Sequence, residues 1–262
     1  MELQGATVIV TGGARGIGEG IADAFADAGA NIVIGDVLGA PGVAEAAEQA
    51  AERCRAHGVE VLTVEVDVRD EPACEALVAA ALDRFGRLDV VCANAGVLSM
   101  APVAQLSVDE WDRIMDVNAK GVFLTCKAAV PHFVAQRRGC FVTTASIAGK
   151  TGGAEVSHYC ASKFAVVGFT QSLAMEMGPH NVRANAVCPG FLGTSMWMND
   201  ILGYRLPDGA DRAEAFEKIT AGRVPLGRGQ TPADIGQAAV FLARADNITG
   251  VALNVAGGLE VH

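Results

Sequence analysis

The sequence predicts one α/β domain over residues 1–262, with a doubly wound central parallel sheet of about seven strands. Short β-rich runs alternate with alanine-rich helical runs along the chain, which is the order typical of doubly wound folds. The β-rich runs are apolar without strict alternation, which indicates strands that helices bury on both faces. A hydrophobic content of 51% over 262 residues is enough for one large core, and no second core, linker or repeat is evident.

The predicted elements follow one another in regular order. Strands are predicted at residues 6–12, 31–36, 59–67, 88–96, 139–146, 182–190 and 250–258. Helices are predicted at residues 16–29, 41–57, 71–86, 104–136 and 157–178. The segment 191–225 breaks the rhythm, because it is long, mixed in composition and interrupted by Gly203, Pro207 and Gly209. We therefore expect it to be irregular.

Composition excludes several classes of function. A net charge of −10 and a pI near 4.9 argue against binding to nucleic acid or to anionic membrane surfaces. No stretch approaches the roughly 18 uninterrupted apolar residues of a membrane span, and the first residues lack the features of a signal peptide. Seven cysteines stand singly without a CxxC pair, which predicts reduced thiols and a cytoplasmic location.

The five histidines do not have the spacing of metal ligands, so we expect no metal. His158 adjoins a tyrosine of interest, Tyr159. Neighbours in a helix point about 100° apart, however, so the two side chains are not expected to share a face.

A glycine-rich run, TGGARGIG at residues 11–18, follows the first strand and opens the first helix. Gly12, Gly16 and Gly18 allow the backbone to approach a diphosphate at a helix N-terminus, where free N–H groups and the helix dipole favour anions. The spacing is GxxxGxG, which by itself is weak evidence. Its position between the first strand and the first helix predicts a dinucleotide site.

Two charges near this loop bear on which dinucleotide binds. Asp36 ends the second strand, where a carboxylate can accept hydrogen bonds from the adenosine ribose and repel a 2′-phosphate. Arg15 would instead attract such a phosphate, unless its side chain is simply solvated. Direct contact of Asp36 with the ribose outweighs a mobile arginine, so the sequence predicts NAD over NADP. The alternative for Asp36 is a loop cap.

Three further polar residues have ordinary structural explanations when taken singly. Ser146 could cap a helix, Asn118 could be a buried polar residue, and Lys163 could be solvated. Together they indicate a reaction site, because Ser146 leaves a strand at its carboxyl end, where doubly wound sheets bind ligands. Tyr159 and Lys163 are four residues apart and so lie on the same helix face.

These motifs together resemble the short-chain dehydrogenase/reductase family along nearly the whole chain. The matching residues are TGGARGIG at 11–18, Asp67 and Val68, Asn94 to Gly96, Asn118, Ser146, Tyr159 to Lys163, Pro189 and Gly190, and Thr194. The resemblance implies a Rossmann fold, a nicotinamide dinucleotide and the interconversion of an alcohol and a ketone. The hydride would move between the substrate carbon and the nicotinamide, and the proton between the substrate oxygen and the protein.

The resemblance also implies a role for each matching residue. Tyr159 would be the general acid/base, and Ser146 would hold the substrate oxygen. Lys163 would bind the nicotinamide ribose and lower the pKa of Tyr159, while Asn118 would anchor a water of a proton relay. The expected cofactor contacts are Gly12, Arg15, Gly16, Ile17, Gly18, Asp36, Asp67, Val68, Asn94, Gly96, Tyr159, Lys163, Pro189, Gly190, Leu192 and Thr194.

Family members place a substrate lid at the segment corresponding to 191–225. Met196 and Trp197 could contact substrate there, beside Ser146 and Tyr159, although a Met/Trp cluster is more often a packed helix face. The start of the lid at Thr194 and its closing residues ITAGRVPLGR resemble diol, acetoin and polyol dehydrogenases. The resemblance therefore favours an NAD-dependent dehydrogenase of a small diol, polyol or sugar.

Three other functions stay open. One is a 3-oxoacyl thioester reductase acting on an acyl carrier protein, which would need a basic docking surface and usually uses NADPH. The net charge of −10 argues against the docking surface, and Asp36 argues against NADPH. The apolar lid leaves a hydroxysteroid dehydrogenase possible. A non-catalytic nucleotide sensor of this fold would usually lack the tyrosine or the lysine. Helices 104–136 and 157–178 are rich in apolar side chains, and members of the family that the chain resembles commonly associate through these helices. We therefore predict a homotetramer.

Overall fold

The structure, a computed structural model, describes residues 1–262 and has a single seven-stranded parallel sheet. The strands are β1 Thr7–Thr11, β2 Asn31–Asp36, β3 Val61–Glu65, β4 Val90–Ala93, β5 Gly139–Thr144, β6 Val182–Pro189 and β7 Ala252–Val255. Their order across the sheet is β3-β2-β1-β4-β5-β6-β7. The predicted doubly wound α/β class is confirmed.

The chain forms nine α-helices, six of which cover the two faces of this sheet. The nine are α1 Gly16–Asp27, α2 Val43–Arg55, α3 Glu71–Phe85, α4 Val108–Met115, α5 Gly121–Gln136, α6 Ser157–Met177, α7 Leu202–Arg205, α8 Arg212–Arg223 and α9 Pro232–Arg244. Two large apolar clusters fill the spaces between sheet and helices. One contains residues of α1, α2 and α9, and the other contains residues of α3, α5 and α6.

The strand order reverses at β1, which lies between β2 and β4. The chain first builds outward through β2 and β3, then returns to build the other half from β4 onward. The loops after β1 and β4 consequently diverge at the carboxyl edge of the sheet and leave a crevice, which is where doubly wound sheets bind ligands. The loops that follow β5 and β6 lie along the same edge.

All the predicted strands are present; β2 has the predicted bounds, and the other six end earlier than predicted. Residues 94–96, 145 and 146 leave the sheet, because they belong to the loops that build the crevice. The predicted helix over 104–136 is interrupted: a 3₁₀ turn at Val103–Gln105 precedes α4, and a π-helical turn at Asp116–Lys120 separates α4 from α5. Such a turn often marks a functional site in a long helix.

The segment 191–225, expected to be irregular, is largely helical. A π-helical turn at Met196–Ile201 leads into α7, and α8 follows after a short loop. Asp211 starts α8 by accepting hydrogen bonds from the backbone N–H groups of Ala213 and Glu214, both at 3.0 Å. This capping interaction gives the segment a regular structure despite its mixed composition.

Three further properties concern the whole chain. All seven cysteines are buried and unpaired. The structure brings together no group of three or more His, Cys, Asp or Glu side chains able to hold a metal ion. No helix combines the length and the apolar character needed to span a membrane.

Candidate active site

The glycine-rich loop after β1 forms a cradle that side chains would fill. Gly12 has a φ of +63°, and a Cβ there would lie 2.8 Å from the Cα of Ala95. A Cβ on Gly18 would overlap the carbonyl oxygen of Gly12 and lie 2.6 Å from Asn94 Nδ2. Both positions therefore require glycine, and α1 begins with its free N–H groups close to the loop. This geometry fits a dinucleotide diphosphate.

Asp36 lies at the rim of the same loop. Its Oδ2 accepts a hydrogen bond of 3.1 Å from the backbone N–H of Ala14, and its Oδ1 accepts one of 2.9 Å from Val37. The carboxylate is thus anchored at the end of β2 and remains partly exposed. Arg15 is exposed and forms no ion pair, so nothing in the chain fixes its guanidinium.

Asn94 connects three strands at the carboxyl edge of the sheet. Its Nδ2 donates to the carbonyl oxygens of Thr11 (3.0 Å) and Gly12 (3.3 Å), and its Oδ1 accepts from the hydroxyl of Thr144 (3.0 Å). The Thr11 hydroxyl accepts from the backbone N–H groups of Asn94 and Ala95. The Asn94 side chain is therefore committed to holding the loops together, whereas its predicted contact with the cofactor has not been tested.

Lys163 reaches into the same network from α6. Only 3% of this lysine is exposed, and its Nζ donates to the carbonyl oxygen of Thr144 at 2.8 Å. A Cβ on Gly96 would lie 3.5 Å from Nζ and 3.3 Å from Asn118 Oδ1, so the three residues are neighbours. Burial lowers the pKa of Lys163 to about 8. At neutral pH the amine is still mainly an ammonium.

Tyr159 and Ser146 lie beside this lysine. Nζ of Lys163 is 5.7 Å from the centroid of the Tyr159 ring. Burial raises the pKa of Tyr159 to about 12, and the nearby Ser146 hydroxyl opposes that shift. In the protein alone the pKa of Tyr159 is therefore raised, because burial disfavours the phenolate. The lowering by Lys163 that the resemblance implies stays a prediction.

Ser146 has the capping role that its position suggested, and its predicted role of holding the substrate oxygen stays a prediction. Its hydroxyl caps the 3₁₀ turn Ile147–Gly149 by accepting from the backbone N–H of Ala148 at 3.1 Å. The same hydroxyl lies close enough to Tyr159 to affect its pKa. A hydroxyl that is fixed by a cap has a defined direction, and so it can orient a substrate oxygen.

Asn118 sits in the π-helical turn between α4 and α5 and is fully buried. Its Oδ1 accepts from the backbone N–H of Val97 (2.8 Å), while its Nδ2 donates to the carbonyl of Val97 (2.9 Å) and to Ser162 Oγ (3.1 Å). Ser162 Oγ in turn donates to the carbonyl of Tyr159 at 2.7 Å. Both amide donors are thus used in positioning, and the predicted water relay is untested.

Two predicted adenine contacts already have partners within the chain. Hydrogen bonds from Arg69 hold the carboxylate of Asp67 and lower its pKa. Val68 is buried and packs against Gly121 of α5, where a Cβ would lie 2.6 Å from Val68 Cγ2. Asp67 must therefore share its carboxylate with Arg69 if it also contacts an adenine.

The chain after β6 returns across the glycine-rich loop. Thr194 Cγ2 lies 3.4 Å from the Cβ position of Gly16, so the beginning of the lid touches the cradle. Leu192 is buried and pairs with Gln230 in an isolated bridge. Gly190, which follows Pro189, has no room for a side chain, because a Cβ would lie 2.9 Å from Ala256 Cα. This geometry encloses the crevice on the side of β6.

The two lid residues predicted to contact substrate are both partly buried. The ring of Trp197 lies between Phe191 and Phe216, with centroid separations of 4.6 and 5.4 Å. This packing agrees with the alternative that a Met/Trp cluster forms a helix face. Substrate contact by Met196 or Trp197 is still only a prediction.

Sequence reasoning missed Thr11, Thr144 and Ser162, which connect the predicted residues to one another. Thr11 and Thr144 each end a strand that borders the crevice, and this position was available as a signal. Ser162 lies within the motif YCASK at 159–163, but its link to Asn118 spans 44 residues of sequence. No local pattern indicates such a contact.

The fold and the glycine cradle together define a dinucleotide-dependent oxidoreductase. The family model for short chain dehydrogenase matches residues 6–203. A 3-oxoacyl-[acyl-carrier-protein] reductase FabG of Staphylococcus aureus is 32% identical over 255 residues, which are 97% of each chain. The protein belongs to the short-chain dehydrogenase family.

Solved structures agree with this assignment. Carveol dehydrogenase from Mycobacterium avium in complex with NAD has a TM-score of 0.92 and 31% identity, over 98% of each chain. An NAD⁺-bound xylitol dehydrogenase has a TM-score of 0.89 and 30% identity, over 98% of this chain and all of the other.

The buried amine of Lys163 leads to a prediction about stability. Its pKa is lower in the folded protein than in the unfolded chain. Below pH 8 the folded protein must therefore bury a protonated amine, and this lowers the free energy of unfolding. Lys163→Met removes this effect but also the bond to Thr144. We expect the variant, free of cofactor, to be more stable at pH 7 by about 1–2 kcal/mol in urea denaturation. The difference should narrow between pH 8 and pH 10.5. A variant less stable than wild type at pH 7 would contradict this prediction.

Proposed function

We propose that the protein is an NAD-dependent oxidoreductase that interconverts a secondary alcohol and a ketone, with a small diol, polyol or sugar as substrate. The observation that carries the proposal is the convergence of Lys163, Tyr159 and Ser146 at the edge of the glycine cradle. A phenol, an ammonium and a fixed hydroxyl at this place can hold an alcohol oxygen and exchange its proton.

The position of Asp36 supports NAD as the cofactor. Its carboxylate is anchored by Ala14 and Val37 at the rim of the cradle, where a 2′-phosphate would meet a fixed negative charge. No arginine is fixed at the rim to offset it. Among the similar structures, carveol dehydrogenase and xylitol dehydrogenase are complexes with NAD.

The nicotinamide, when bound, supplies or takes up the hydride. In the oxidation direction Tyr159 takes the hydroxyl proton of the alcohol while Ser146 holds the same oxygen. The positive charge of an oxidised nicotinamide favours phenolate, as does the ammonium of Lys163. These charges must reverse the effect of burial, which alone keeps the pKa of Tyr159 near 12.

Polar groups at the lid support a hydroxylated substrate. Tyr204 and Arg205 of α7 face Glu155, which precedes α6, at 3.5 and 3.8 Å. Asp200 of the lid interacts electrostatically with Arg113 of α4. These polar groups of the lid can offer hydrogen bonds to a diol, polyol or sugar, which favours such a substrate over a steroid.

Reduction of a 3-oxoacyl thioester is the second candidate, because the curated relatives include FabG reductases at 32% identity. A carrier protein is acidic, and this chain has a net charge of −10, which opposes such an encounter. Asp36 opposes the NADPH that such reductases usually use.

One screen separates the two candidates. Reduction of NAD⁺ would be followed with diols, polyols, sugars and hydroxysteroids, and oxidation of NADH and NADPH with 3-oxoacyl thioesters. We expect turnover with a small hydroxylated alcohol, and a loss of about 10²–10⁴-fold in Tyr159→Phe because the proton carrier is gone. NADH binding, measured by fluorescence titration, should be nearly unchanged. Retained activity in Tyr159→Phe would exclude Tyr159 as the proton carrier, and turnover of thioesters alone would favour the second candidate.

The choice of cofactor can be tested at Asp36. Asp36→Ala removes the fixed charge, so the ratio of kcat/KM with NADP⁺ to kcat/KM with NAD⁺ should rise by about tenfold or more. Asp36→Asn serves as a matched variant, since it removes the charge but keeps an acceptor for the N–H of Ala14. Equal losses with both cofactors in both variants would mean that Asp36 only supports the loop.

We also propose a homotetramer and a cytoplasmic location. Phe123 of α5 and Phe164 and Met175 of α6 are exposed, with 82% exposure for Met175. Apolar side chains on two adjacent helices are typical of a surface that another copy covers. Sedimentation equilibrium should give four times the 26.9 kDa mass of the chain, and a monomer at micromolar concentration would contradict the proposal.

The buried, unpaired cysteines are compatible with a reducing compartment.

A further inference from the structure

His158, the residue before Tyr159, is fully buried and has no part in the chemistry described above. It lies in the first turn of α6, and its Nε2 is 2.8 Å from the hydroxyl of Ser99. Ser99 belongs to the segment after β4 that also contains Val97, the partner of Asn118. His158 therefore joins the helix that carries Tyr159 to the loop that borders the crevice.

Glu110 of α4 lies near this pair and is held by Arg113. The carboxylate of Glu110 receives two hydrogen bonds from Arg113, of 2.8 and 2.7 Å, which contribute most to lowering its pKa to about 2. The Ser99 hydroxyl contributes to the same shift. His158 Nδ1 has no partner, and leaving a buried N–H unpaired would cost more than leaving a lone pair unpaired, so we assign the proton to Nε2, which donates to the Ser99 hydroxyl. Burial lowers the pKa of His158, which leaves a neutral ring at pH 7.

The other ring nitrogen, Nδ1, is buried without a partner. With the proton on Nε2, Nδ1 carries a lone pair and no hydrogen, which is the less costly way to leave this atom unpaired. It has no exposed surface with which to meet a substrate. The contribution of His158 must therefore come from Nε2 and its link to Ser99.

The first turn of α6 needs such a link, because no side chain caps it. Val156 precedes the helix and offers no capping group, whereas Ser107, Asp211 and Thr231 cap α4, α8 and α9. An uncapped first turn frays readily, since its backbone N–H groups lack partners within the helix. In α6 this turn contains Tyr159.

We propose that His158 is a positioning residue for Tyr159: its bond to Ser99 fixes the uncapped first turn of α6 and so fixes the phenol beside Ser146 and Lys163. The inference rests on the proposed role of Tyr159 in proton transfer. Ser162, which donates to the carbonyl of Tyr159, holds the same turn from its other side.

The test uses His158→Leu, which keeps an apolar body but loses the donor, and Ser99→Ala, which loses the acceptor and disturbs packing least. His158→Gln is the conservative variant, because its amide can donate from nearly the position of Nε2. Thr170→Val is the matched control. Thr170 lies in the middle of α6, away from its first turn, and this variant removes its buried 2.7 Å hydrogen bond to Thr143 of β5.

We expect His158→Leu and Ser99→Ala each to lower kcat about tenfold, because the loss of one hydrogen bond lets the Tyr159 phenol move out of position. The KM for NAD⁺ should be unchanged. The double variant should be no worse than either single one, His158→Gln should recover most of the loss, and Thr170→Val should retain kcat. Unchanged kcat in both single variants, or no recovery with glutamine, would overturn the proposal.

Amide hydrogen exchange gives a readout that does not depend on turnover. In the cofactor-free protein, His158→Leu should speed exchange at residues 157–162 selectively, and Thr170→Val should act on the middle of α6. Unchanged or uniformly faster exchange in His158→Leu would overturn the anchor. Absence of wild-type activity throughout the substrate screen would instead refute the proposed function, and the exchange pattern would still decide whether His158 anchors the turn.

Discussion

The burial of one ammonium group is the constraint on which the site depends. Lys163 Nζ has a single protein acceptor, the carbonyl of Thr144, and burial has already lowered the pKa of the amine to about 8. Moving such a charge from water to the interior is unfavourable unless fixed dipoles replace the lost hydration. The carbonyl of Thr144 can serve because β5 ends there and leaves it free of the sheet.

The same strand end connects the ammonium to the glycine cradle. The Thr144 hydroxyl donates to Asn94, and Asn94 donates to the carbonyls of Thr11 and Gly12. Gly18 allows α1 to approach this junction, because any Cβ there would overlap the Gly12 carbonyl. The loop that fits the diphosphate and the lysine that faces the tyrosine are thus parts of one rigid network. A change at either end is expected to affect both cofactor binding and proton transfer.

Sequence periodicity predicted the sheet well, since strands buried on both faces are continuous apolar runs. The π-helical turn that holds Asn118 was not predictable, because it depends on contacts with Val97 and Ser162 that lie 21 and 44 residues away. The motif residues Ser146, Tyr159 and Lys163 were identified from spacing and resemblance. The direction of the tyrosine pKa was not, because spacing reveals neighbouring charges but says nothing of desolvation.

The two pKa shifts suggest how the reaction is kept under control. In the protein alone, burial keeps Tyr159 protonated and makes the ammonium of Lys163 easier to lose, so each shift opposes formation of a phenolate. A group held in this way is a poor base until further positive charge arrives beside it. In the proposed function, an oxidised nicotinamide bound at the cradle would be the source of that positive charge. The anchors at Ser162 and His158 then matter because electrostatic stabilisation depends steeply on distance, and a phenol that drifts from Lys163 loses part of it.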